Sequence, residues 1–375
     1  MPNMSKVVLV WLFRRAGITV NGSAPWDIQV HDDRFFRRVL FGGSLGLGES
    51  YRDGWWDCEK LDLFFERLLR SWISRIGAFT PSHLAELVRS KLVDHGAASN
   101  SHAVGKAHYD LGNDLYAAML GKSMTYTCPY WKGASTLEEA QKAKLDLVCG
   151  KLDLGPNDRV LDIGCGWGSF EYHAATHYGA FVHGITISTE QLAWAKEWCR
   201  GLPVTLEDKD YRDVKGQFDH VVSIGMFEHV EPQHYEEYFR VVSERLKPGG
   251  LFLLHTIGNP ARVAGGPDPY IRKYVFPTGK IPTRAEIERS SGPYLAIRDW
   301  HEFPPSYYDR GLMGWHANLH AAWPSLSHRY SESFKRGWVD YYPQCCAAAF
   351  RTGRLRLWQI VLSHPGEHVD LKPVR

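Results

Sequence analysis

Between residues 159 and 256 short branched-apolar runs alternate with amphipathic stretches. Val160-Leu161-Asp162-Ile163 is an apolar run broken by one acid. It is followed at once by Gly164-Cys165-Gly166-Trp167-Gly168 and a helical pattern through Phe170, Ala174, Ala175 and Tyr178. Runs this short and this apolar read as strands buried on both faces. Further strands are predicted at 181–187, 203–206, 218–224 and 251–256, with helices at 191–198 and 234–246, the last closed by Lys247-Pro248-Gly249-Gly250. The alternation predicts an α/β fold, a mostly parallel sheet flanked by crossover helices. Upstream, Thr136 with Glu139 three residues on forms a capping box, and Leu145, Val148, Cys149 and Leu152 give that helix an apolar stripe.

The first 95 residues read as a smaller, mainly helical unit. Val7-Val8-Leu9-Val10-Trp11-Leu12-Phe13 is too short to span a bilayer and is followed by Arg14-Arg15 instead of a small-residue cleavage site, so it reads as the start of a helix. Phe35, Phe36, Val39 and Leu40 beside Arg34, Arg37 and Arg38 make a basic amphipathic segment; membrane surfaces and ordinary half-buried helices both use that pattern. Gly42-Gly43-Ser44-Leu45-Gly46-Leu47-Gly48-Glu49 lacks a phosphate loop's Gly-Lys-Ser/Thr ending and is predicted to be a turn-rich connection. Residues 92–103 are small and polar, which suits a linker. The expected division is 1–95, a linker at 96–107, and a catalytic domain at 108–375.

A net charge of +2 gives no support to nucleic-acid binding by bulk charge. The 14 Trp and 18 Tyr suit an apolar or planar ligand, although any single one serves equally well as core. Seven cysteines with no Cys-x-x-Cys suggest reduced thiols, and no metal is expected.

Ligands of such sheets sit beyond the carboxyl ends of the strands. That gathers the glycine loop, Thr186, Asp210, Glu228 and His255 on one rim. A dinucleotide site would show Gly-x-Gly-x-x-Gly and an acid about twenty residues later for the ribose. Here the spacing is Gly-x-Gly-x-Gly, His183-Gly184-Ile185-Thr186 ends the second strand without an acid, and Asp162 precedes the loop. These features favour S-adenosylmethionine over NAD.

On this rim Asp162 to Gly168, Thr186-Ile187-Ser188-Thr189-Glu190-Gln191, Asp210-Tyr211-Arg212-Asp213, Gly225-Met226-Phe227-Glu228-His229-Val230 and Leu254-His255-Thr256-Ile257-Gly258 resemble the cyclopropane-fatty-acyl-phospholipid synthases. His108-Tyr109-Asp110-Leu111-Gly112-Asn113 and Tyr126-Thr127-Cys128-Pro129-Tyr130-Trp131 do so as well. The likeness runs from about Ala16 to Ser363, and Ser44 to Tyr51 with Asp53-Gly54-Trp55-Trp56 resemble the phospholipid branch in particular; mycolic-acid relatives share only the part from His108 onward.

The resemblance implies a Rossmann-like class I methyltransferase domain behind an N-terminal lipid-binding and dimerisation domain. It implies methylene addition from S-adenosylmethionine across a cis double bond of a phospholipid acyl chain, with bicarbonate as base. It maps bicarbonate ligands onto Cys128, Glu228, His255, the backbone at Ile257, and Tyr308 or its neighbour Tyr307, and places Cys346 near the acyl slot, beside an unusual Cys345. For the cofactor it implies Tyr126, Thr127, Asp162, Gly164, Cys165, Gly166, Thr186, Ile187, Ser188, Gln191, Asp210, Tyr211 and Arg212. It further implies a cytoplasmic homodimer peripherally attached to the inner face of the membrane. The alternatives are a methyltransferase that leaves a methyl branch and a non-catalytic lipid-surface protein.

Overall fold

The computed structural model describes residues 4–71, 111–260, 268–277, 279–371 and 374–375. His108 to Asp110 and the expected linker lie outside them. The chain divides into two compact units, one of Met1–Asp94, Gly265–Pro277 and Tyr308–Leu355, the other of His95–Ala264, Thr278–Tyr307 and Arg356–Arg375. No helix among the described residues is long and apolar enough to cross a membrane.

The second unit is built on a seven-stranded sheet. Its strands are β3 (Arg159–Ile163), β4 (Phe181–Thr186), β5 (Val204–Asp208), β6 (Phe218–Ile224), β7 (Leu246–Gly258), β8 (Ala296–Glu302) and β9 (Arg356–Ser363), in the order β5-β4-β3-β6-β7-β9-β8. Five strands are parallel, and β9 and β8 add an antiparallel edge. This is the class I methyltransferase arrangement of a mostly parallel sheet flanked by helices. The order reverses at β3, whose neighbours are β4 and β6, so the glycine loop leaves the sheet at its topological switch point. The helix Leu137–Lys151 starts at the expected capping box of Thr136 and Glu139. The Tyr235–Arg245 helix stops as expected, yet Lys247 to Gly250 belong to β7, where the pairing with β6 slips. β7 runs on to Gly258, so His255 lies inside it, opposite Ile224, and not at a strand end.

The first unit contains the helices Met4–Arg15, Arg34–Arg52 and Leu61–Arg70 and a small antiparallel pair, β1 (Ile28–Val30) and β2 (Trp56–Cys58). The glycine-rich stretch is not a turn-rich connection. It lies within the Arg34–Arg52 helix, whose path breaks only at Gly43 (φ 55°). Its glycines serve close approach: a Cβ on Gly46 would stand 2.2 Å from the Arg38 carbonyl, and one on Gly48 2.1 Å from the Tyr270 ring.

A single cut near residue 95 does not describe the chain. Segments 268–277 and 308–355, expected with the sheet, pack with the N-terminal helices instead. Tyr341 meets Tyr270 at 4.4 Å, Phe65 at 4.9 Å and Tyr51 at 5.8 Å. Arg351 ties them further, bonding Asp62, Glu66 and Asp309 at 2.8–3.1 Å.

Candidate active site

The parallel register brings the carboxyl ends of β5, β4, β3, β6 and β7 to one edge. Gly164, Gly166 and Gly168 all have positive φ there (97°, 56° and 90°), which side chains other than glycine's strain to adopt. The Gly164 and Cys165 N–H groups both donate to the Ile185 carbonyl, and Gly168 N–H donates to Cys165. A Cβ on Gly166 would meet nothing within 4 Å, whereas one on Gly164 would strike Met226 at 2.7 Å. The loop is therefore packed against the β6 side and open at Gly166. Trp167 donates its indole N–H to Asn113 at 2.9 Å and packs on Tyr116, which packs on Tyr126.

Thr186, Ser188 and Gln191 form one knot at the end of β4. Ser188 caps the Thr189–Trp198 helix by accepting from Gln191 N–H, and the Thr186 hydroxyl donates to the Gln191 amide oxygen. Ile187 sits half-buried between them. Past β5, the carboxylate of Asp210 holds Arg212 through its backbone and guanidinium N–H groups at 2.8–3.0 Å, and Tyr211 packs edge-on to Tyr238.

Tyr126 to Cys128 lie over the end of β6. The Gln141 amide donates to the carbonyls of Thr125 and Thr127, and the buried Lys144 ammonium donates to the Thr127 hydroxyl at 3.0 Å. A Cβ on Gly225 would fall 2.5 Å from Thr127, so this glycine lets the segment close on the strand. Cys128 is fully buried, and its thiol donates to the Pro129 carbonyl.

Glu228 lies in the turn Phe227–His229, and its Oε1 accepts the Ile257 N–H at 2.6 Å. The backbone N–H at Ile257 is thus committed to Glu228. Among the described residues, Oε2 of Glu228 is buried with no hydrogen-bond partner. His255 receives the Gln359 amide at Nδ1 (3.2 Å), which puts the ring proton on Nε2, also buried and without a partner among the described residues. A proton donor and an acceptor are thereby left unpaired, one on β7 and the other in the turn bonded to it. Tyr308 and Cys346 fall in the other compact unit. Tyr308 packs there on Phe350 in a tilted pair at 4.4 Å, while Tyr307 packs with Tyr130 and Phe303 beside the sheet.

Three buried polar residues here had not been singled out. Gln141 and Lys144 belong to the same helical stripe as Leu145 and Val148, so the readable signal was polar groups at core positions. Glu171, fully buried beneath the glycine loop, faces Asp162; its room comes from Gly184, whose Cβ would lie 2.4 Å from Oε1. Burial drives every one of these groups toward its neutral form. It raises the Glu228 carboxyl to about 7 and the Cys128 thiol well up, and it depresses the Lys144 amine to about 7 and His255 well down. Burial and the adjacent Asp162 push Glu171 up, so Glu171 holds the proton of that pair. Such a site disfavours charge.

The family model of mycolic acid cyclopropane synthetase matches residues 97–360. The chain belongs to that family. It is 49% identical over 360 residues, 95% of this chain and 93% of the other, to the cyclopropane-fatty-acyl-phospholipid synthase of Escherichia coli strain K12. Among solved structures it resembles the cyclopropane synthase MmaA2 of Mycobacterium tuberculosis (30% identity, TM-score 0.65, 70% of this chain and 97% of that one). It also resembles the mycolic acid cyclopropane synthase CmaA1 complexed with SAH and CTAB (28% identity, TM-score 0.64, with the same coverage of each chain).

Proposed function

We propose that this protein transfers a methylene group from S-adenosylmethionine to the cis double bond of unsaturated acyl chains in membrane phospholipids, making a cyclopropane ring. The reading rests on the unpaired Glu228 Oε2 and His255 Nε2–H at the methyl-donor edge of a chain that a phospholipid cyclopropane synthase matches almost end to end.

The open backbone at Gly166 takes the cofactor. Tyr126 and Thr127 flank its methionine end, Thr186, Ser188 and Gln191 its ribose, and Asp210 to Arg212 its adenine. Asp162, near the end of β3 before the loop, has its carboxyl buried against Glu171. The alkene is a weak nucleophile, and a cation forms once it has taken the methyl group. The neutral, water-poor surroundings keep that cation from being quenched. Its proton must then leave from the new methyl. The unpaired donor and acceptor suit a small oxyanion: His255 Nε2–H would donate to it, Glu228 Oε2 would accept its O–H, and the Cys128 thiol would add a weak donor. Bicarbonate fits that donor set and when bound would supply the base. Tyr308 and Cys346 are assigned no step.

The N-terminal unit supplies the membrane contact in this reading. Met4, Val7 and Trp11 are exposed along one face of Met4–Arg15, Phe41 is exposed on the next helix, and Arg14, Arg15 and Arg37 stand exposed beside them. Exposed apolar side chains with basic neighbours suit an anionic phospholipid surface. The protein then works as a homodimer peripherally bound to the inner face of the cytoplasmic membrane. Sedimentation with anionic vesicles should weaken in Trp11→Glu.

The decisive assay uses phospholipid vesicles with cis-monounsaturated chains and S-adenosylmethionine. Mass spectrometry should show a gain of one CH2 per chain, and proton NMR the loss of the alkene signals. An added methyl with the alkene retained would establish a branch-forming methyltransferase instead.

A further inference from the structure

We propose that the N-terminal unit binds a divalent transition-metal ion at His316, His320 and Asp340. His316 and His320 are four residues apart on the helix Pro305–Leu326, hence on one face one turn apart. Asp340 comes from the segment Lys335–Tyr341, a wide π-turn, a local geometry common at functional positions. The Asp340 Oδ1 lies 2.7 Å from His320 Nε2 and 3.7 Å from His316 Nε2, and the three ligand atoms all lie within 4.8 Å of one another. Tetrahedral zinc with bonds of about 2.0–2.1 Å asks for ligand atoms roughly 3.3–3.5 Å apart, within small side-chain adjustments of this set.

The hydrogen bonds show that His316 Nε2 carries no proton, as a metal ligand requires. Gln344 is oriented by two backbone contacts: its Oε1 accepts the Asp62 N–H at 3.2 Å, and its Nε2 donates to the Asp340 carbonyl at 3.1 Å. The second Nε2 proton faces His316 Nε2 at 3.2 Å, so that ring nitrogen carries a lone pair and no proton, and an incoming ion would take the lone pair in place of the Gln344 amide. Asp340 is buried, His316 is half-buried and His320 is exposed, so the cluster is rooted in the unit and open to solvent on one side. Two imidazoles and one carboxylate suit Zn2+, Co2+, Ni2+ or Cu2+ and not Mg2+ or Ca2+, which prefer all-oxygen sets. A bound ion would clamp the helix carrying Tyr308 to the π-turn, with water completing its shell.

The test titrates Co2+ into tag-free, full-length, metal-stripped protein and follows its visible d–d bands, with Zn2+ as competitor. Saturation at one ion per chain is expected, abolished by His316→Ala and by His320→Ala, both of which keep the buried Asp340. Zn2+ should raise the unfolding midpoint by roughly 3–6 °C at a hundredfold excess over its Kd. Binding unchanged in the two histidine variants would overturn the proposal. So would a thiolate-to-cobalt charge-transfer band, which would assign the ion to Cys345 or Cys346, or no saturable binding to the parent protein.

Discussion

Glu228 shows how surroundings set a residue's chemistry. Its carboxyl has an ordinary value of 4.5 and is lifted by burial to about 7. The folded state therefore holds this proton more tightly than the unfolded chain. The resulting penalty is absent below the unfolded value and grows as pH rises toward 7, where it is complete. Glu228→Gln keeps an acceptor for the Ile257 N–H and removes the penalty. It should be more stable than the parent by about 1–3 kcal/mol near pH 8, with the gap closing in acid. Urea unfolding at the two pH values checks this. Calorimetry and turnover on the same variant should show S-adenosylmethionine affinity retained and most activity lost; unchanged turnover would take Glu228 out of the mechanism. Lys144 obeys the opposite sign. Its amine falls from 10.5 to about 7, so burial costs stability as pH drops from the first value to the second. Lys144→Met should leave the melting temperature level or higher at neutral pH, yet lower turnover, because Thr127 loses its donor.

At the scale of elements, glycines separate local from tertiary causes. Gly42 has open space around its Cβ position, while Gly46 meets the Arg38 carbonyl at 2.2 Å. Gly42→Ala should be neutral or stabilising by up to about 1 kcal/mol, and Gly46→Ala destabilising by more than that. Thermal unfolding of the pair checks it, and equal effects would refute the close approach. Composition alone suggested a turn there, because glycine disfavours helix; tight packing overrode that preference. The parallel strands were legible because each apolar run is short, local and bounded. The edge strands were not. β8 is half-buried along nearly its whole length and shows no alternation, and β9 pairs with β7, whose residues lie about a hundred positions earlier. The His-x-x-x-His spacing of His316 and His320 was in plain view, but Asp340 joins it only through the fold.

Across the whole molecule, the unexpected feature is the split membership of the chain. Segments 268–277 and 308–355 bury Tyr270, Tyr341 and Ala348 against the N-terminal aromatics, in one core with Phe35, Trp56 and Phe64. A fragment of residues 108–375, the catalytic domain expected from the sequence, would expose that face. It should aggregate or bind an apolar dye strongly, whereas the full chain should not. A soluble, dye-free fragment with a cooperative melt would show that the segments hold without their partners. The sequence by itself determined the parallel sheet, the glycine loop and the preference for a methyl donor, because strand periodicity, turn chemistry and the missing ribose acid are written over a few neighbouring residues. Only the tertiary structure decided which helices share a core, that Glu171 and Lys144 are buried at the site, and that Glu228 and His255 each keep one polar atom unpaired. Those outcomes depend on contacts between residues far apart in the chain, and burial, which sets their charge, is a property of the packed whole.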